Sequence, residues 1–147
     1  MSNQTKENLT HSDVFIGPFW ADEPGCYIWC KNVYGNTQMC FTIFNDWGRK
    51  DVEERLKRAI ALLNDEPAEP FKCVGYNFDK DLIGFGDNEE EAGDPILLTR
   101  GWGYLTGCGA LHLDSKQARE IQLEFMKWVM GKLKGKTIEF ENMEEPE

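Results

Sequence analysis

Cys26-Tyr-Ile-Trp-Cys-Lys-Asn-Val33, Tyr34-Gly-Asn-Thr37 and Gln38-Met-Cys-Phe-Thr-Ile-Phe44 form the stretch from which the fold is read. Two runs of apolar, aromatic and β-branched residues flank a Gly-Asn pair, the pattern of a β-hairpin closed by a two-residue turn. With Gly35 and Asn36 as the loop, Tyr34 faces Thr37, and counting outward sets Cys30 opposite Phe41 and Ile28 opposite Ile43. Apolar side chains then meet apolar side chains on one face, as a half-buried sheet requires.

Downstream, Val52, Leu56, Ala59, Ile60 and Leu63 recur at three- and four-residue spacing. This predicts an amphipathic helix, capped by Asn45 or Asp46 and unable to continue past Pro67 and Pro70. A second strand group spans 71–78 and 82–85 around a turn at 79–81; residues 87–94 read as a solvated loop, 95–100 as a strand and 110–113 as its returning neighbour. Asp114, with Gln117 three residues on, opens a last helix whose buried stripe is Ala118, Ile121, Phe125, Trp128, Val129 and Leu133. Gly135 stops it, and 137–140 gives a short final strand.

Helices that follow antiparallel strands pack on one face of their sheet, so the expected architecture is an α+β two-layer sandwich, a single domain over 1–147 with flexible ends at 1–12 and 141–147. The opposite sheet face carries Tyr27, Trp29 and Phe44. Either this face docks a partner or a second copy of the chain, or the segment holding Val14, Phe15, Ile16, Phe19 and Trp20 covers it; the sequence leaves both open.

The 147 residues are 41% hydrophobic and 12% aromatic, enough apolar surface to offset the entropy of folding. No apolar run approaches the ~20 residues of a membrane span, and residues 1–12 lack an export signal, so a cytoplasmic protein without a membrane partner is expected. The cysteines, Cys26, Cys30, Cys40, Cys73 and Cys108, are odd in number and sit among apolar neighbours, as reduced core residues do. Within one strand Cys26 and Cys30 stand over about 13 Å apart, too far to share a metal. Neither metal nor cofactor is expected.

The formal net charge of −10 is concentrated in 65–100, with ten acids against three bases, and in 139–147, with five acids and no base. Such a chain repels phosphate backbones, which disfavours plain nucleic-acid binding, and suits a partner protein with a basic surface, met through Asp87, Glu89, Glu90, Glu91 and Asp94; the alternative is that the charge only keeps the protein soluble. Arg49, Lys50, Arg55, Lys57 and Arg58 interleave with Asp51, Glu53 and Glu54 at helical salt-bridge spacing and read as a solvated face.

Arg100-Gly-Trp-Gly-Tyr-Leu-Thr-Gly-Cys-Gly109 holds four glycines in ten residues. These residues make an ordinary bulged turn in the first reading; in the alternative, backbone N–H groups near Gly103 and Gly107, with Arg100, Trp102, Thr106 and Cys108, cradle a nucleotide-like small molecule. The stretch is no P-loop, lacking Gly-Lys-Ser/Thr, and no dinucleotide fingerprint, since the next helix opens only at Asp114. Cys108 and His112 lie too far apart in a strand to share a proton, and the paired carboxylates lie in exposed segments, so no catalytic set is expected.

The segment from Arg100 to Leu111, followed by the helix from Ala118 to Leu133, resembles small proteins encoded by bacteriophages and prophages over the last third of the chain. That resemblance carries no catalytic residue with it. It implies an accessory protein that binds and blocks a host factor, a defence protein among them, in the host cytoplasm. With the acidic charge, a non-enzymatic binding protein is the first expectation, and a nucleotide-signal sponge or sensor using residues 100–109 the alternative.

Overall fold

The computed structural model describes residues 9–22, 25–43, 50–77, 80–98 and 113–134, and the backbone of 138–140. Helix α1 (His11–Val14) leads into strand β1 (Ile16–Ala21), and the hairpin forms β2 (Tyr27–Lys31) and β3 (Thr37–Ile43). Helix α2 (Lys50–Leu63) precedes β4 (Cys73–Asn77) and β5 (Leu82–Gly86); the short helix α3 (Glu89–Ala92) precedes β6 (Leu97–Leu98). Helix α4 (Ser115–Leu133) and β7 (Ile138–Phe140) follow.

The fold is α+β, with one seven-stranded sheet in the order β1-β2-β3-β6-β5-β4-β7. Neighbours are antiparallel except β7, which lies parallel to β4 and sets Ile138 beside Cys73. A parallel pairing needs a long return, and α4 lies on that path. Val52, Leu56, Ala59 and Leu63 of α2 and Ala118, Ile121, Phe125, Val129 and Leu133 of α4 share one core with Ile28, Phe41, Val74, Tyr76, Ile83 and Phe85 of the sheet. Phe125 is its hub: its ring stacks on Phe15 with centroids 4.0 Å apart and meets Phe41 at 5.7 Å and Trp128 at 5.8 Å. Asp114 caps α4 by accepting the Gln117 N–H at 2.8 Å.

The hairpin register differs from the sequence expectation. Gly35 N–H donates to Asn32 O (2.8 Å) and Asn32 N–H to Asn36 O (2.9 Å), so the loop is three residues long, with Gly35 at φ 82° in the left-handed region that glycine favours. The Asn32 side chain reinforces it by accepting the N–H groups of Tyr34 and Asn36. Cys30 therefore pairs with Gln38, not Phe41. The register then shifts by one residue between Ile28 and Trp29, leaving Cys40 as the extra residue of a bulge and Ile28 opposite Phe41. That shift restores the parity of the strand, so Ile28, Cys30, Phe41 and Ile43 are all buried as the sequence pattern requires.

Other differences have equally local causes. Strand β6 is flanked by β3 through Thr42↔Leu98 and by β5 through Leu82↔Leu98, while residues 110–112 of the expected returning strand lie outside the described residues. Leu9 is buried and His11 already belongs to α1, where the sequence suggested a loose segment through Ser12. Val14, Phe15 and Phe19 enter the core beside α4 and do not fold over the opposite sheet face. Residues 89–92, read as loop, form α3 because the Asn88 side chain accepts the Glu91 N–H and caps the turn. Cys26 is exposed, whereas Cys30, Cys40 and Cys73 are buried thiols.

Candidate functional site

β1 lies against β2 with Trp20 directly opposite Trp29, which puts both indoles on the face turned away from the helices. Tyr27, two residues before Trp29, joins them, the two rings meeting edge-on at 5.7 Å. Trp20 is 38% exposed, and Tyr27 and Trp29 are half-buried. Lys31 completes the row: its Nζ lies 5.9 Å from the Trp20 ring centroid and donates to Thr37 Oγ1 at 3.3 Å.

The row is held rigidly. Asp22 accepts the N–H groups of Cys26 (2.9 Å) and Tyr27 (3.0 Å), and the Trp29 side chain also bonds to it. Burial pushes this carboxyl up, but those donors outweigh burial and hold it below the usual carboxylate range. Beneath Trp29 its cross-strand partner Met39 is buried and stands outside the helix-side core. The result is a fixed aromatic surface on the two outermost strands of one sheet edge.

The acidic segment lies elsewhere, at the end of β5, separated from β2 by β6 and β3, or about 14 Å of strand spacing. It is partly consumed by the fold. Arg58 donates to both carboxylate oxygens of Asp87 at 2.7 and 2.9 Å, and to the carbonyls of Glu69 and Pro70 at 2.7 Å each. These contacts form one wall of a shallow basin of about 670 Å³ that Lys57 and Lys72 also line. The Arg58 guanidinium, bonded to Asp87, holds that carboxyl below its ordinary value against the opposing effect of burial. Glu91 is turned inward: it accepts the Asp87 N–H at 2.8 Å, and its Cβ lies 2.2 Å from where a side chain on Gly86 would begin. Glu89 and Glu90 are the acids of α3 that face solvent, with half-buried Asp94 after them.

Arg55 is not on a solvated face. It is 7% exposed and donates to the carbonyls of Phe85 (2.9 Å) and Glu91 (3.1 Å), tying α2 to β5 and α3. Both arginines thus serve to fix the acidic helix in place.

Of the residues singled out in the sequence, Tyr27 and Trp29 share one surface and Asp87, Glu89, Glu90, Glu91 and Asp94 another; the two are not brought together. Phe44, Arg100, Trp102, Gly103, Thr106, Gly107, Cys108 and His112, with the cap at Asn45 or Asp46, lie outside the described residues. Trp20 was missed as a surface residue. Its signal was the alternation of buried Phe19 with exposed Trp20, obscured by the Gly17-Pro18 pair that precedes it. Among the described residues no three His, Cys, Asp or Glu side chains gather as metal ligands would, and no helix is long and apolar enough to cross a membrane. In comparisons with protein-family models, with curated proteins and with solved structures, no match to the chain was found.

Proposed function

We propose that this chain is a non-enzymatic binding protein that docks on a basic surface of another protein through the outer sheet face of Trp20, Tyr27 and Trp29. The observation that carries the reading is the fixed aromatic row itself. Half-exposed Trp and Tyr side chains supply large contact area at little entropic cost and are the residue types that dominate protein interfaces. Lys31 lies over Trp20 in the free protein, so the row suits the Arg and Lys side chains of a basic partner. The net charge of −10, with Glu89 and Glu90 turned to solvent, favours long-range attraction of such a partner without requiring α3 to lie in the contact. The resemblance to phage-encoded proteins makes a cytoplasmic host protein, and a defence factor first, the partner to look for.

The test is native mass spectrometry of the tagged chain recovered from its own cells, run on wild type, a Trp20→Ser/Trp29→Ser variant and a Glu89→Gln/Glu90→Gln variant. A co-purifying protein should be lost from the aromatic variant, a weakening of at least tenfold at about 1.4 kcal/mol per decade. It should persist in the acid variant, with slower association and weaker salt dependence. A partner retained by the aromatic variant, or a homodimer in place of a heterologous complex, would overturn the reading.

A further inference from the structure

Cys30 of β2 and Cys40 of β3 are both fully buried, and the Cys40 thiol donates to Cys30 Sγ across 3.2 Å. They are not partners in the strand ladder: Cys30 pairs with Gln38, and Cys40 is the extra residue of the bulge. Both side chains nevertheless enter the helix-side core, in the same cluster as Ile28 and Phe41. Each is a free thiol, and among the described cysteines only Cys26 is exposed.

Two sulfurs this close are one short movement from a covalent bond. A disulfide holds its sulfurs about 2.05 Å apart, so the pair must close by roughly 1.2 Å. The bulge supplies that freedom. Cys40 has no matched residue on β2, so its backbone can shift toward Cys30 while Gln38, Met39 and Phe41 keep their partners. At a regular ladder position the same closure would drag a matched pair with it.

From this geometry we infer that Cys30 and Cys40 form an oxidation site, at which hydrogen peroxide converts the two thiols to a disulfide across the bulge. One sulfur, once ionised, attacks the peroxide; the O–O bond breaks, leaving a sulfenic acid and one water. The other sulfur then attacks the sulfenic sulfur, the S–S bond forms as the S–O bond breaks, and a second water leaves. The thiols give up two electrons and two protons, and the peroxide becomes two waters. In the closed fold the pair is shielded from solvent, and burial, then Cys30 beside it, pushes the Cys40 thiol well above its ordinary value. Oxidation therefore proceeds through opening of the hairpin end, is slow, and accelerates in mild urea. The site stands whether or not the outer sheet face docks a partner.

The test uses the full-length protein, reduced and then exposed to excess hydrogen peroxide, without urea and in urea below the unfolding transition. Remaining thiols are alkylated in denaturant and the chain is digested with trypsin without reductant. Cleavage after Lys6, Lys31 and Arg49 severs the chain between the two cysteines, so the disulfide holds peptide 7–31 to peptide 32–49 until reductant separates them. Peptide 7–31 also carries Cys26, and fragmentation in the mass spectrometer should place the bond on Cys30. The oxidised protein should unfold at a urea midpoint about 1 M higher than the reduced one. Cys40→Ala should lose both the linked peptides and the shift; the mapping on wild type decides the matter even where that variant does not fold. A bond to Cys26 or to a second chain, sulfinic acid at Cys30 or Cys40 without a link, full alkylation of both thiols after oxidation in urea, or an oxidised form less stable than the reduced one would each overturn the proposal.

Discussion

The side-chain amide of Asn64 pairs with both main-chain groups of Phe19: Asn64 Oδ1 accepts the Phe19 N–H at 2.6 Å, and Asn64 Nδ2 donates to Phe19 O at 3.0 Å. Within β1 the ladder to β2 skips from Ile16↔Lys31 to Trp20↔Trp29, so β2 offers Phe19 no matched residue. One asparagine at the end of α2 thus takes the place of a neighbouring peptide unit. Asn64→Ala should lower stability by about 1–3 kcal/mol, since two backbone groups lose their partner, and urea unfolding measures it. A loss under about 0.5 kcal/mol would mean that water replaces the amide at no cost.

Gln122 on α4 is fully buried, and among the described residues neither end of its amide has a hydrogen-bond partner. An apolar side chain of similar shape carries no such desolvation penalty. Gln122→Met should therefore raise stability by about 1–2 kcal/mol in chemical denaturation. Destabilisation instead would reveal that the amide is used.

Asp87 titrates below the ordinary carboxylate value because Arg58 holds its charged form. A depressed folded value contributes stability that is complete above the unfolded pKa, about 3.9, and is lost as pH falls through the folded value. Asp87→Asn should therefore cost stability at neutral pH and flatten the acid limb of the profile. The effect stays within about 1 kcal/mol because the pair is solvent-exposed. Unfolding midpoints from about pH 2 to 7 test it, and parallel curves for variant and wild type would refute it.

Tyr76 shows the opposite sign. Burial, then the hydrogen bond of its hydroxyl to Asp81 at 2.8 Å and the charge of that carboxylate, push the phenol above its ordinary value, with Arg119 opposing. Its contribution is complete below the unfolded pKa near 10 and is lost as pH rises through the folded value. Alkaline difference spectroscopy should show a tyrosine step delayed until the protein unfolds, and Tyr76→Phe should abolish that late step. Ionisation of all four tyrosines before unfolding would contradict it.

The sheet hairpin, α2 and α4 were legible because each is written in the spacing of apolar residues: Val52, Leu56, Ala59 and Leu63 are all buried, as are Ala118, Ile121, Phe125, Val129 and Leu133. The register was not, because it rests on two hydrogen bonds to the Asn32 side chain and on the φ of Gly35, neither of which leaves a periodic mark. Strand β1 escaped notice for a related reason: in Ile16–Ala21 only Phe19 is buried. Of the proposed docking surface, Tyr27 and Trp29 followed from strand alternation, while the third ring, Trp20, needed the pairing of β1 with β2. The cleft that Phe15, Phe19, Glu66 and Trp128 line could not be read at all, since it forms only after four elements have packed.

The extra residue at Cys40 also acts as an expansion joint. It separates a short outer segment, in which Lys31, Cys30 and Trp29 meet Thr37, Gln38 and Met39, from the inner pairs Ile28↔Phe41 and Tyr27↔Thr42 that connect through Thr42↔Leu98 to the rest of the sheet. Deleting one loop residue, with a three-residue loop kept, would slide the outer pairs by one and iron out the bulge, leaving Phe41, Thr42 and Ile43 where they are. Length changes at this tip stop at Cys40, so the hairpin end next to Trp29 and Lys31 is free to diversify while the body of the sheet stays in step.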